Sequence, residues 1–245
     1  MVEEHPDLGE KAISKVVEIG LSSQLDTAEQ LKVDIRTNLR KLIQGELDSV
    51  AVVGKGLVLK PDLRLEILEV ITDEVAIAPL SVLFGQIELV HSTDVEARVV
   101  LTEVDINRAF CSELVQSKLK GLPIQLREQL VTVDVCKAEI TLPGNNQFVI
   151  ATDFLIKETG EFKKLSATTI PKIQENGQRL TFELLSIEGQ GLTPELGAAI
   201  LNQLIALLDL RNLNISGVTL QLHQLEIHNG RLIVHIKTQV EQIPS

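Results

Sequence analysis

His223, Glu226, His228 and His235 lie close together near the end of the chain, and imidazole and carboxylate are what a zinc site needs. Four such donors must converge on one point. The stretch LEIHNGRLIVH (225–235) sets Asn229 and Gly230 between alternating runs, the signature of a two-residue hairpin turn. Counting outward from that turn, His223 shares the apolar face with Ile236, while Glu226, His228 and His235 share the polar one. The donors diverge, so no metal is expected. Ser117 and Lys120 have the S-x-x-K spacing of an activated serine, but its companion motifs are absent. Gly54, Lys55 and Gly56 make a turn without the rest of a phosphate loop, and no GxSxG, HExxH or GxGxxG pattern occurs. The carboxylates are spread along strand faces, with no pair marked for acid–base work. Cys111 and Cys136 belong to no CxxC pair and read as small core residues of a reducing compartment, without a disulfide. The expectation is a protein that is not an enzyme and carries no cofactor.

Composition narrows the partners. Acidic residues number 34 against 23 basic ones, a net charge of −11, which disfavours contact with a phosphate backbone. Aromatics are 2% of the 245 residues, six Phe with no Trp or Tyr, so there are few rings for bases to stack on. Nucleic acid is excluded as a partner, and the core must be built from Leu, Ile and Val. The opening residues MVEEHPDLGEKAISKVV are acidic and lack the apolar run of a signal peptide or a spanning helix. The expected location is cytoplasmic.

The elements follow from periodicity. A helix is predicted over 8–28, with Ile13, Val16, Val17, Leu21, Leu25 and Ala28 at spacings of three and four. Leu31, Val33, Ile35 and Leu39 alternate with Lys32, Asp34, Arg36 and Arg40 as a strand. Glycines punctuate strands at 46–53 and 57–60, and at 63–71 a parity flip at Ile67 and Leu68 implies a bulge or a strand apolar on both faces. One helical turn is expected at 79–84. The stretch 95–122 then changes period: alternation through Leu101 gives way to Thr102 as N-cap, Asp105 as its capping-box partner, and the helical stripe Ile106, Phe110, Leu114 as far as Gly121. This helix is placed at 103–120. Strands are read at 130–142, 147–157 and 179–188, with 158–177 as a charged, broken connection. A third helix, 193–210, is apolar over most of its girth, leaving Glu195, Ala199, Asn202, Ala206 and Asp209 as a narrow stripe.

LTEVDINRAF (101–110), IQGELDSVAVVGKGLVL (43–59), GQIEL (85–89) and the late hairpin together resemble the LmeA-like family of bacterial phospholipid-binding proteins, over about 12–240. The resemblance implies a tubular lipid-binding architecture, a curved antiparallel sheet wrapped around helices with an apolar groove. Family members with a clear role sit in the cell envelope, from which this acidic N-terminus departs. The reading is a single α+β domain, 1–245, with a long antiparallel sheet curled around amphipathic helices. Its function is non-catalytic binding, extending to transfer, of a phospholipid or other acyl lipid at a membrane surface that it touches transiently. The expected groove-lining residues are Ile13, Val17 and Leu21 on the first helix, Phe110 and Leu114 on the second, and Leu201, Leu204 and Leu208 on the third. The alternative is an interaction protein of the same fold with a filled core. The sequence names neither the lipid nor any protein partner.

Overall fold

The computed structural model describes residues 8–60, 62–78, 89–126, 129–174, 177–206 and 218–241, without the side chains of Leu8, Leu39, Lys60, Leu114, Val218 and Thr219. The helices are α1 (Leu8–Ser22), α2 (Leu39–Gln44), α3 (Glu103–Phe110), α4 (Glu113–Lys118) and α5 (Pro194–Ala206). The strands are β1 (Gln30–Arg36), β2 (Glu46–Lys60), β3 (Leu63–Ala76), β4 (Thr93–Thr102), β5 (Leu122–Leu126) and β6 (Gln129–Gly144). They continue with β7 (Gln147–Ile156), β8 (Glu161–Gln174), β9 (Arg179–Glu188), β10 (Val218–His228) and β11 (Arg231–Val240). A six-stranded sheet has the order β1-β2-β3-β4-β11-β10 and a five-stranded one the order β5-β6-β7-β8-β9. The registers from β1 through β4 and from β5 through β9 are antiparallel throughout. The fold is α+β, as the sequence leads one to expect.

The chain forms two compact units. One comprises Met1–Val100, Asn214–His223 and Val234–Ser245, the other Leu101–Leu213 and Gln224–Ile233. In the first unit β1 alternates as its sequence dictates: Val33 and Ile35 are buried, and with Leu47 and Val75 they form a small core under α1. α1 ends at Ser22, short of the expected 28, and the chain re-enters extended structure through a bridge between Thr27 and Val58. The expected end of β1 is instead a short helix, α2. Asn38 accepts the Lys41 N–H at 3.0 Å as its N-cap, and Gly45 closes it at φ 77°. β2 runs unbroken through Gly54 and Gly56, where two strands were expected. Gly56 holds φ 57° inside the strand, a conformation that costs only glycine nothing. β3 pairs with β2 without interruption across Ile67 and Leu68, and both are half-buried, so this is a strand covered on both faces rather than a bulge.

In the second unit the expected helix 103–120 is two helices. Ser112 breaks it by local bonding: its Oγ donates to the Ala109 carbonyl at 2.7 Å and accepts the Val115 N–H at 3.3 Å, capping α4. The expected connection at 158–177 is β8. Its buried positions are Leu165, Ala167 and Thr169, with the Thr169 hydroxyl donating to the Phe148 carbonyl at 2.8 Å. Pro171 lies past the last β7 partner pair, Phe148 and Thr169, where a missing N–H is tolerated. The hairpin turn at Asn229 and Gly230 holds, with φ of 34° and 79°, and Asn145 and Asn146, at 53° and 56°, make a second tight turn between β6 and β7. The expected turn at 79–84, the segment 85–88 and the last residues of the third helix lie outside the described residues.

Candidate functional site

The capping box forms at the start of α3. The Asp105 N–H donates to Thr102 Oγ1 at 3.1 Å, and the Asp105 carboxylate accepts from Thr102 Oγ1 at 2.6 Å and from its N–H at 3.3 Å. Asp105 is only 3% exposed, so these bonds are what allow a carboxylate there. Glu103 and Asn107 do something the sequence reading did not foresee. Past β5, strand β6 has a free edge, and α3 supplies it with partners. Asn107 donates to the Ile140 carbonyl and accepts its N–H, both at 2.8 Å, while Glu103 Oε2 accepts the Leu142 N–H at 2.8 Å. Residues four apart on a helix rise about 6 Å, close to the roughly 6.8 Å spanned by two residues of a strand. The hairpin tip completes the edge: the Gly230 N–H donates to the Leu142 carbonyl at 2.7 Å, and Gly230's own carbonyl accepts the Glu103 N–H.

So anchored, α3 turns Ile106 and Phe110 into the larger core, where α5 adds Leu196, Ile200, Leu201 and Leu204. Thr193 caps α5 through the Leu196 N–H at 3.3 Å, and Gly197 lets the helix close on β9, since a methyl there would stand 2.7 Å from Ile187 Cδ1. The narrow exposed stripe of α5 is the expected one: Glu195, Asn202 and Ala206 are exposed and Ala199 is half-buried. Three of the sequence-predicted lining residues meet in this core: Phe110, Leu201 and Leu204, at 9%, 4% and 3% exposure. The side chain of Leu114, and Leu208 altogether, lie outside the described residues.

The other three, Ile13, Val17 and Leu21, belong to the first unit. They are half-buried against the cluster of Val33, Ile35, Leu47 and Val75. Ser14 Oγ accepts the Ile35 N–H at 3.1 Å and Glu10 Oε1 accepts the Thr37 N–H at 2.9 Å, fixing α1 along β1.

Polar chemistry is sparse. Among the described residues no group of three or more His, Cys, Asp or Glu could hold a metal ion. His223 is exposed while Leu222 is buried, the reverse of the parity expected, because β10 changes face between Leu222 and Ile227. His228 Nε2 lies 2.8 Å from the Glu226 carboxylate. Cys111 and Cys136 are exposed free thiols, not core residues. Cys111 occupies the break after α3, and Cys136 sits where the β6–β7 register shifts. The first unit has an open groove of about 780 Å³, but Asp73, Glu74, Asp94, Glu96, Lys237 and several threonines line it. Lys237 bonds Glu96 at 2.8 Å and holds its carboxyl below the usual range. Such walls suit water and ions rather than acyl chains. No helix among the described residues is long and apolar enough to cross a membrane.

Comparison with known proteins agrees with the structural motifs. Residues 7–237 match the family described as LmeA-like phospholipid-binding. Among curated proteins and among solved structures, none matches the chain. The match takes in the capped α3, the closed α5 and the late hairpin, and runs through both compact units. The chain belongs to the LmeA-like phospholipid-binding family.

Proposed function

We propose that the protein binds a phospholipid, or another lipid with acyl chains, without catalysis, in an apolar groove at a membrane surface. The family match over residues 7–237 is the observation that carries this reading. Residues 1–245 act as a single lipid-binding domain, resident in the bacterial cytoplasm and touching the membrane transiently, and transfer between membranes is a natural extension. The acyl-facing residues are Ile13, Val17 and Leu21 on α1, Phe110 on α3, Leu114 on α4, and Leu201, Leu204 and Leu208. Each methylene leaving water for such a surface gains about 0.8 kcal/mol, so two acyl chains supply ample driving force.

A second reading has its own support. Phe110, Leu201 and Leu204 are all below 10% exposure, as in a filled core, and a protein so filled would work through its surface. The substitution Leu204→Gln separates the two. If Leu204 faces lipid, binding of a fluorescent phospholipid falls more than stability does. If it faces only protein, the variant loses about 2–5 kcal/mol of stability, the range for disrupted packing, and the wild type binds no lipid at all.

A further inference from the structure

A protein that takes up phospholipid must meet the bilayer that holds it. With a net charge of −11, this chain is repelled by an anionic bilayer over most of its surface. One face of the first unit departs from that balance. Both carboxylates of α1 are engaged: Glu10 accepts the Thr37 N–H, and Glu18 is bonded by Lys15 of the same helix and by the Val33 backbone, which hold its carboxyl low. With Ile13, Val17 and Leu21 packed inward, the 3.6-residue turn puts Lys11, Ala12, Lys15 and Ile19 on the far side and Val16 on the flank. Val16 and Ile19 are each 61% exposed. That flank is the one nearest α2, because a methyl on Gly9 would lie 3.9 Å from Leu42 Cδ2. α2 has no acidic residue of its own. It adds exposed Arg40, Lys41 paired with Asp48, and Ile43 at 73% exposure.

We propose that this α1–α2 face docks the protein on an anionic bilayer. Val16, Ile19 and Ile43 enter the interfacial layer, and Lys11 and Arg40 meet the headgroup phosphates. Short apolar anchors ringed by cations bind interfaces in this way, by buried area and charge together. The contrast with Phe162 supports the choice. It is equally exposed at 73%, but the lysines around it are all tied to acids: Lys163 to Glu161, Lys164 to Asp153 and Lys157 to Asp134. On the α1–α2 face Lys15 and Lys41 are so tied, whereas Lys11 and Arg40, among the described residues, are not. The proposal rests on the lipid-binding reading and names where that lipid is met.

The test is flotation of the full chain with vesicles of phosphatidylcholine alone or mixed with phosphatidylglycerol. Wild type should bind the mixed vesicles, less so as salt rises. The triple variant Val16→Ser, Ile19→Ser, Ile43→Ser and the double variant Lys11→Glu, Arg40→Glu should each lower the bound fraction tenfold or more. Phe162→Ser should not. These positions are exposed, so circular dichroism should stay as in wild type. Binding of a soluble short-chain fluorescent phospholipid should persist in every variant. Undiminished flotation of the α1–α2 variants, loss of flotation in Phe162→Ser, or a wild-type dimer that these variants dissolve would overturn the proposal. Soluble lipid bound without any flotation would sink the docking face alone. Neither bound would sink the lipid-binding reading with it.

Discussion

Two helix–sheet interfaces in this chain are made of the same residue types and finish in different states. Beneath α3 and α5, Ile106, Phe110, Ile200, Leu201 and Leu204 are closed off from water by the inner faces of β5 to β9. Beneath α1, Ile13, Val17 and Leu21 reach the same kind of strand surface and remain half-buried. Composition does not make the difference. α3 is anchored to strand backbone through two side chains four residues apart, and α5 carries a glycine where it meets β9. α1 is anchored in the same way, by Glu10, Ser14 and Glu18 to the backbone of Thr37, Ile35 and Val33, yet it carries exposed apolar residues on its other side. Anchoring alone does not close a core: α3 and α5 both contribute to the larger one, whereas α1 lies along β1, the edge strand of its sheet.

If that contrast is right, truncating one side chain on each helix should give unequal losses. Ile200→Ala, at a fully buried position, should cost about 2–5 kcal/mol, whereas Val17→Ala should cost about 1 kcal/mol. Denaturant unfolding measures both, and equal losses would erase the distinction. A smaller effect is expected at the anchor. Asn107→Ala strands the Ile140 N–H and carbonyl and should cost about 1–3 kcal/mol, with faster amide exchange along residues 138–142 of β6. Thr102→Ala removes the cap from α3 and should cost about 1 kcal/mol.

The smallest effect is electrostatic. In the second unit Asp134 accepts the Gly121 N–H at 2.7 Å and Glu158 accepts the Thr132 N–H at 2.9 Å, which lowers both carboxyls from ordinary values of 3.8 and 4.5. Lowered carboxyls stabilise the folded state above their unfolded values and lose that contribution as pH falls through the folded ones. In the first unit Glu18 and Glu96 are lowered chiefly by Lys15 and Lys237. Salt near 1 M, where screening reaches about 3 Å, should therefore blunt the acid sensitivity of the first unit more than that of the second. Hydrogen exchange between pH 3 and 6 (about the carboxylate range) reads the two separately. Glu158→Gln should flatten the profile of the second unit alone.

Local chemistry was legible in the sequence wherever a residue acts on its neighbours. The Thr102–Asp105 capping box, the turn at Asn229 and Gly230, the alternation of β1 and the stripe of α5 all stand where their spacing puts them. What escaped was set by distant partners. β8 hides because its core positions include Ala167 and Thr169, which read as polar or small until Phe148 is placed beside them. α2 hides because Leu39 continues the alternation of β1, and only the Asn38 cap reveals the change. Glu103 and Asn107 read as solvated helix residues until the free edge of β6 is known. The candidate site divides in the same way. Periodicity brought Phe110, Leu201 and Leu204 together, whereas their closure, and the half-open state of Ile13, Val17 and Leu21, depend on which elements share each sheet face, which periodicity does not show.

Mass spectrometry of the organic extract from purified, undenatured protein tests the central claim most directly. The account predicts phospholipid, or another lipid bearing acyl chains, in a fixed ratio to protein, retained through gel filtration and depleted in the extract of Leu204→Gln. An extract free of lipid, from a protein that also fails to take up fluorescent phospholipid from solution, would contradict it and leave the filled-core interaction protein standing.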